Sequence, residues 1–391
     1  MASGVVIVGS GLAGYGVARE FRKWDASTPL TILTADDGAY YSKPQLSAAM
    51  GAGKTADQLV MKDAASMARE LGARLMAHQN IVLADAAAKR LVTEQGLEIG
   101  FDKLVLAVGA RARRPAVSLG DGARIHSVNN LGQYREFRRH LEKGRRLAIL
   151  GAGLIGCEFA HDFSQAGFQV TVIGTGAVPL AGLVPEGIGR ALQAALSGLG
   201  VRWKLSQGLE AVAKSGEGWL ARLRGGDSVE ADVLLSAIGF DPNLELARLL
   251  ELKTARGIAV DAELRSSHPD IFALGDCAEI GGRWLPFVMP LNHAAKALGQ
   301  ILAGMPAAVE FPLMPVLIKT PAYPVAVLTP PAGAKGEWLS HAEPDGARAA
   351  FRDERGALMG FAVGGKLYPE RNALLRQMAA EANGSAPLRA A

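Results

Sequence analysis

The segment Gly9-Ser10-Gly11-Leu12-Ala13-Gly14 carries three glycines spaced as a pyrophosphate-binding turn requires. The first glycine permits a tight turn, the second lets phosphates approach the backbone, and the third lets the following helix pack closely on the preceding strand. That helix then meets the anion with its unpaired N–H groups and the positive end of its dipole. A β-branched run, Val5 to Val8, precedes the turn, a helical pattern extends to about Lys23, and the next apolar run, Leu30 to Leu33, leads into Thr34-Ala35-Asp36. Asp36 falls where a ribose hydroxyl needs an acceptor. Glycines kept for packing alone are the plain alternative, but they would not require the acid.

The same order recurs downstream. Leu147 to Leu150 leads into Gly151-Ala152-Gly153-Leu154-Ile155-Gly156, then a helix to about Ala166 and the run Val170 to Ile173. After this second run the chain reads Gly174-Thr175-Gly176, with neither an acid for a 2′-hydroxyl nor an arginine for a 2′-phosphate. The glycines therefore point to a dinucleotide without choosing between NADH and NADPH, and a degenerate fold kept for structure is the alternative. Similar apolar strands close both folds: Gly109 lies 100 residues after Gly9, and Gly239 lies 88 after Gly151. This is an internal duplication at domain scale. A third element, Gly275-Asp276, ends the apolar run from Ile271. On its own it reads as a turn; beside the first motif its carboxylate can accept from a sugar-alcohol hydroxyl, which points to FAD in the first fold.

The elements that position these groups define the class. The 391 residues suffice for two or three domains, and 49% hydrophobic with 20% charged residues excludes disorder as the main state. Glycine is the outlier, 47 residues, roughly 12% against about 7% in ordinary proteins. Cys157 and Cys277 can build neither a disulfide framework nor a zinc ribbon, so a reducing cytoplasm is expected. The N-terminus lacks a signal-peptide pattern, and no run reaches the roughly 18 apolar residues of a membrane span; no membrane insertion is expected. A net charge of +4 is too small to point to nucleic acid but suits an acidic protein partner. Past Pro306, Pro312 and Pro315 the chain reads as a hairpin-rich module with strands at Val316 to Lys319, Val325 to Leu328, Ala347 to Arg352 and Ala357 to Val363, then a helix from about Pro369 to Ala382. The seven histidines show no metal-ligand spacing, so no metal is assigned.

Together these features resemble the two-dinucleotide flavoproteins of the FAD/NAD(P)-dependent pyridine nucleotide-disulfide oxidoreductase superfamily. Thr34 to Gly38, Tyr41-Ser42-Lys43-Pro44, Gly151 to Phe159, Gly275 to Glu279, Val288 to Leu291 and Lys319-Thr320-Pro321-Ala322 look like bacterial rubredoxin–NAD reductases. The Ser-Lys-Pro and Lys-Thr-Pro segments discriminate most. The resemblance implies an α/β fold with two Rossmann-like dinucleotide-binding domains, the NAD domain inserted in the FAD domain, plus a small α+β C-terminal interface domain. The expected boundaries are 1–114 with 244–312 for FAD, 115–243 for NAD and 313–391 for the interface domain. It further implies FAD contacts from Gly9 to Gly14, Thr34, Ala35, Asp36, Lys43, Ile81, Gly109, Glu158, Gly275, Asp276, Val288 and Lys319, and nucleotide contacts from Gly151, Gly153, Ile155 and Gly156. Lys43 and Lys319 become cations beside the flavin ring; solvent-facing lysines are the alternative. Glu158 falls where nicotinamide meets flavin; a helix N-terminal acid stabilised by the dipole, worth about 0.3–1 kcal/mol, is the alternative.

The implied activity is hydride transfer from NADH to FAD and single-electron delivery to rubredoxin, feeding an alkane hydroxylase or related chain, in a monomer or homodimer. Lys43, Glu158 and Lys319 are its expected catalytic residues. Rubredoxins as a class are small and acidic, and basic clusters at Arg111, Arg113 and Arg114, at Arg138 and Arg139, and at Lys143, Arg145 and Arg146 could steer one. A ferredoxin–NAD(P) reductase of a hydroxylase system is the nearest alternative; such enzymes often carry a lysine where Ser47 is followed by Ala48. A non-turning-over FAD/NAD redox sensor is the other. Thiol mechanisms are excluded by the absence of cysteine before Cys157.

Overall fold

A computed structural model describes residues 4–141, 145–343 and 345–384. The chain forms two compact units. The first comprises residues through Gln45, Ala56–Arg111 and Phe240–Pro312. Its centre is a parallel sheet in the order Ile271–Ala273, Lys103–Leu106, Val5–Val8, Leu30–Leu33, Arg74–Met76. Val5–Val8 is buried along its whole length, as a strand covered on both faces must be. Strand order reverses there, with Leu30–Leu33 on one side and Lys103–Leu106 on the other, so a ligand crevice opens past Val8. Helix Leu12–Arg22 packs against helix Val288–Leu302. A Cβ on Gly299 would lie 2.6 Å from Glu20 Cβ, so that crossing needs a glycine. Helix Val288–Leu302 begins earlier than the helix expected around Ala294 to Ala303, because Pro290 sits in its first turn, where no intrahelical N–H is needed.

The second unit comprises Leu46–Thr55, Ala112–Gly239 and the chain from Leu313 onward. Its parallel sheet runs Ile125–Ser127, Val233–Ser236, Arg146–Leu150, Gln169–Ile173, Arg202–Lys204. Beside it lies a smaller sheet in which Leu209–Ser215, Gly218–Leu223 and Ser228–Ala231 pair antiparallel. Helices Leu131–Leu141 and Glu186–Gly198 also belong here. The C-terminal segment forms an antiparallel sheet ordered Val316–Ile318, Val325–Leu328, Leu358–Gly365, Gly346–Asp353, Gly336–Glu343. Helix Arg371–Gly384 covers it, burying Met378 with Ala326, Phe361 and Val363. Gly336–Glu343 was absent from the sequence expectation: as an edge strand it is almost wholly exposed and shows no apolar alternation. Among the described residues no helix is long and apolar enough to cross a membrane.

Candidate nucleotide and redox sites

The two glycine turns have nearly the same geometry. Gly9 and Gly151 adopt φ of +113° and +105°, the left-handed region that only glycine enters without strain. A Cβ on Gly14 would lie 1.8 Å from Gly9 O, and one on Gly156 would lie 1.9 Å from Gly151 O. Helix and turn therefore touch backbone to backbone in both folds. At Gly11 and Gly153, by contrast, a Cβ would meet nothing within 4 Å, and neither glycine caps its helix with a side chain. The first-turn N–H groups of helices Leu12–Arg22 and Leu154–Gln165 are thus open to an anion. This is the arrangement the spacing predicts.

In the first unit, Asp36 Oδ1 accepts from Ser10 Oγ at 3.0 Å and Thr34 Oγ1 at 2.6 Å. Ser10 Oγ also donates to Thr34 Oγ1 at 2.8 Å. The turn and the end of the second strand are therefore one network, with Ala35 exposed between its members. Tyr15 OH donates to Gly38 O at 2.5 Å and fixes the loop beyond Asp36; burial pushes its phenol pKa well up. Gly275, at φ +79°, would place a Cβ 2.9 Å from Ala13 Cβ, so the Gly-Asp turn lies against the glycine turn. Asp276 Oδ2 pairs with Lys43 Nζ at 3.2 Å, and Lys43 also lies 5.2 Å from the Phe240 ring centroid. Gly109 has φ +67° and open space at its Cβ position. Ile81 opens the strand Ile81–Asp85, and Val288, exposed, opens its helix.

In the second unit Glu158 is 1% exposed. Its Oε2 accepts from Ser47 Oγ at 2.6 Å and faces Lys319 Nζ at 3.3 Å; its Oε1 accepts from the Lys319 backbone N–H at 2.9 Å. One turn further, Asp162 accepts from Met50 N–H at 3.0 Å and Gly51 N–H at 2.8 Å, although burial holds its pKa above the usual carboxylate value. His161 Nε2 accepts from Ala322 N–H at 3.3 Å, and burial lowers its pKa. Glu158, His161 and Asp162 fall on one helix face, and that face ties the segments 47–51 and 319–322 to the second nucleotide helix. Glu158 is thus far more than a dipole partner. Sequence reasoning located Glu158 and Lys319 but missed Ser47 and Asp162 and left His161 as a structural residue. Ile155 lies half-buried in the first turn of the same helix.

Both cysteines are fully buried, and burial pushes each thiol up to about 12. Neither is a thiolate at neutral pH, which fits small packing residues. Among the described residues no group of three or more His, Cys, Asp or Glu could hold a metal. Of the basic clusters, Arg111 pairs with Glu245, and Arg146 pairs with Asp232 and Glu230, each at 2.6 Å. Arg138 donates to Lys54 O, and Lys143 lies outside the described residues.

The sequence pattern of the Pyridine nucleotide-disulphide oxidoreductase family matches residues 3–300, and that of the Rubredoxin binding C-terminal domain matches residues 308–378. A Rubredoxin-NAD(+) reductase of Alcanivorax borkumensis is 41% identical over 377 residues, covering 96% of this chain and 98% of that protein. One from Acinetobacter baylyi is 40% identical, covering 92% and 93%. Among solved structures, NADH:rubredoxin oxidoreductase from Clostridium acetobutylicum superposes with a TM-score of 0.81 at 18% identity, covering all of this chain and 97% of that one. With two nucleotide folds built on the same glycine geometry and a family pattern spanning most of its length, the chain belongs to the pyridine nucleotide-disulphide oxidoreductase family.

Proposed function

We propose that this chain is an NADH-dependent flavoprotein reductase that delivers electrons to rubredoxin. The observation that carries the reading is the union, in one chain, of two open glycine turns with a C-terminal segment matching a rubredoxin-binding domain. That segment favours rubredoxin over the ferredoxin alternative. The FAD fold is 1–114 with 244–312, the NAD fold 115–243, and 313–391 the interface domain; a hydroxylase such as an alkane hydroxylase would lie downstream.

The first turn fits FAD: Gly11 leaves space where a pyrophosphate approaches, and the Ser10, Thr34 and Asp36 network presents a carboxylate past the second strand. When bound, FAD supplies the conversion of one hydride into two single electrons. The chain's own work is orientation. Gly9 to Gly14 hold the pyrophosphate, Asp36 the adenosine ribose, and Asp276 the sugar-alcohol chain, with Lys43 held by Asp276. Gly151, Gly153, Ile155 and Gly156 hold the second nucleotide. Glu158 fixes Lys319 and Ser47.

Purified with FAD, the chain is expected to reduce rubredoxin faster than ferredoxin under NADH; a preference for ferredoxin would overturn the choice of acceptor. Added salt should slow rubredoxin reduction and leave NADH-to-flavin transfer unchanged, whereas a salt-independent acceptor rate would contradict charge steering. Cys157→Ser and Cys277→Ser are expected to retain turnover, and a loss above about a hundredfold would restore a thiol mechanism.

A further inference from the structure

The sequence leaves the 2′-position of the second nucleotide without a reader after the second strand, and the fold brings Arg224 to the cleft at that strand's end. A cleft of about 340 Å³ opens at the carboxyl ends of Arg146–Leu150 and Gln169–Ile173, where Leu150, Gly151, Gly174 and Thr175 line it. In parallel nucleotide folds this is the adenosine end of the site, and an acid after the second strand bonds the 2′-hydroxyl while repelling a 2′-phosphate. Here Thr175 occupies that place. Gln207 and Arg224 line the same cleft. Arg224 follows strand Gly218–Leu223, and its N–H donates to Gly208 O at 2.8 Å. A Cβ on Gly208 would lie 3.6 Å from Arg224 Cδ and 3.7 Å from Thr175 Cγ2, so both side chains flank Gly208.

Charge and hydrogen bonding set the chemistry of that corner. Asp227, the acid of the same turn, already accepts from Lys204 Nζ at 2.8 Å and Gln207 Nε2 at 3.1 Å. Gln207 is thereby held by Asp227 at the wall of the cleft, with its Oε1 buried and without a hydrogen-bond partner among the described residues. The Arg224 side chain is exposed and makes no hydrogen bond or ion pair among the described residues. A cation with five donors and no acid beside Thr175 matches a phosphate.

We infer that Arg224, with Thr175, forms a subsite for the 2′-phosphate of the adenosine ribose, so that the chain accepts NADPH as well as NADH. This rests on the reading that the second fold binds the dinucleotide. Isothermal titration of the FAD-loaded full chain with adenosine 2′,5′-bisphosphate and with 5′-AMP tests it. The bisphosphate should bind about tenfold tighter or more, the scale of one charge-assisted contact, and Arg224→Ala should erase that difference. Equal binding of the two probes by the wild-type chain, or a difference that survives Arg224→Ala, overturns the subsite. In the same samples NADH should bleach the flavin: bleaching without an advantage for the bisphosphate removes the subsite alone, whereas no bleaching and no binding of either probe removes the underlying reading with it.

Discussion

Gly156→Ala should lower kcat/KM for NADH by about a hundredfold or more while FAD stays bound, and Gly14→Ala should leave the chain without FAD. Each added Cβ would lie under 2 Å from a carbonyl oxygen of its own turn, Gly151 O or Gly9 O. Backbone must therefore shift, and a displacement of about 1 Å at a positioning element costs on the order of a hundredfold. Gly153→Ala separates nucleotide binding from folding. Its Cβ meets no protein atom within 4 Å and its φ is −80°, so the melting temperature should hold while KM for NADH rises about tenfold, the scale of a weakened phosphate contact. Flavin absorbance and anaerobic bleaching by NADH give both readouts. Loss of FAD from Gly156→Ala, together with retained FAD but impaired reduction by NADH in Gly14→Ala, would reverse the assignment of nucleotides to folds.

Glu158→Ala is expected to destabilise the second unit by about 2–4 kcal/mol. Removing one partner of a buried ion pair costs roughly 3–5 kcal/mol, and the half-exposed Lys319 side chain, at 44%, moderates that. The loss falls on the Ser47 hydroxyl, itself 5% exposed, and on the Lys319 backbone N–H, both deprived of their carboxylate. Glu158→Gln keeps an acceptor for the Lys319 N–H and should cost about half as much. Urea unfolding followed by circular dichroism measures both; a change below about 0.5 kcal/mol for Glu158→Ala would mean that the carboxylate does not clamp these segments. If Glu158 acts by holding Lys319, flavin reduction by NADH should slow in both variants, and more in the alanine variant.

The glycine turns and the strands beside them were legible because each is local. The uniform apolar runs Val5 to Val8 and Leu147 to Leu150 mark parallel strands buried on both faces, and the residues completing each turn follow within a few positions. Asp36 was legible for the same reason. The clamp on Glu158 was not: Ser47 and Lys319 lie 111 and 161 residues away, and no period in the sequence pairs them. Lys43 and Asp276, 233 residues apart, were named one by one through the family resemblance but never as a pair. Arg224 escaped because it comes from an antiparallel hairpin beside the nucleotide sheet rather than from the strand end where a phosphate reader usually stands. The strand Gly336–Glu343 escaped because an exposed edge needs no apolar alternation.

One anaerobic stopped-flow experiment tests the proposed function most directly. The FAD-loaded chain is mixed with one equivalent of NADH and then with excess oxidised rubredoxin, each colour followed separately. A hydride carries two electrons and a rubredoxin iron accepts one, so the proposal predicts rapid flavin bleaching followed by reduction of two rubredoxins per NADH. A flavin that NADH does not bleach, or a bleached flavin that leaves rubredoxin oxidised, would contradict it.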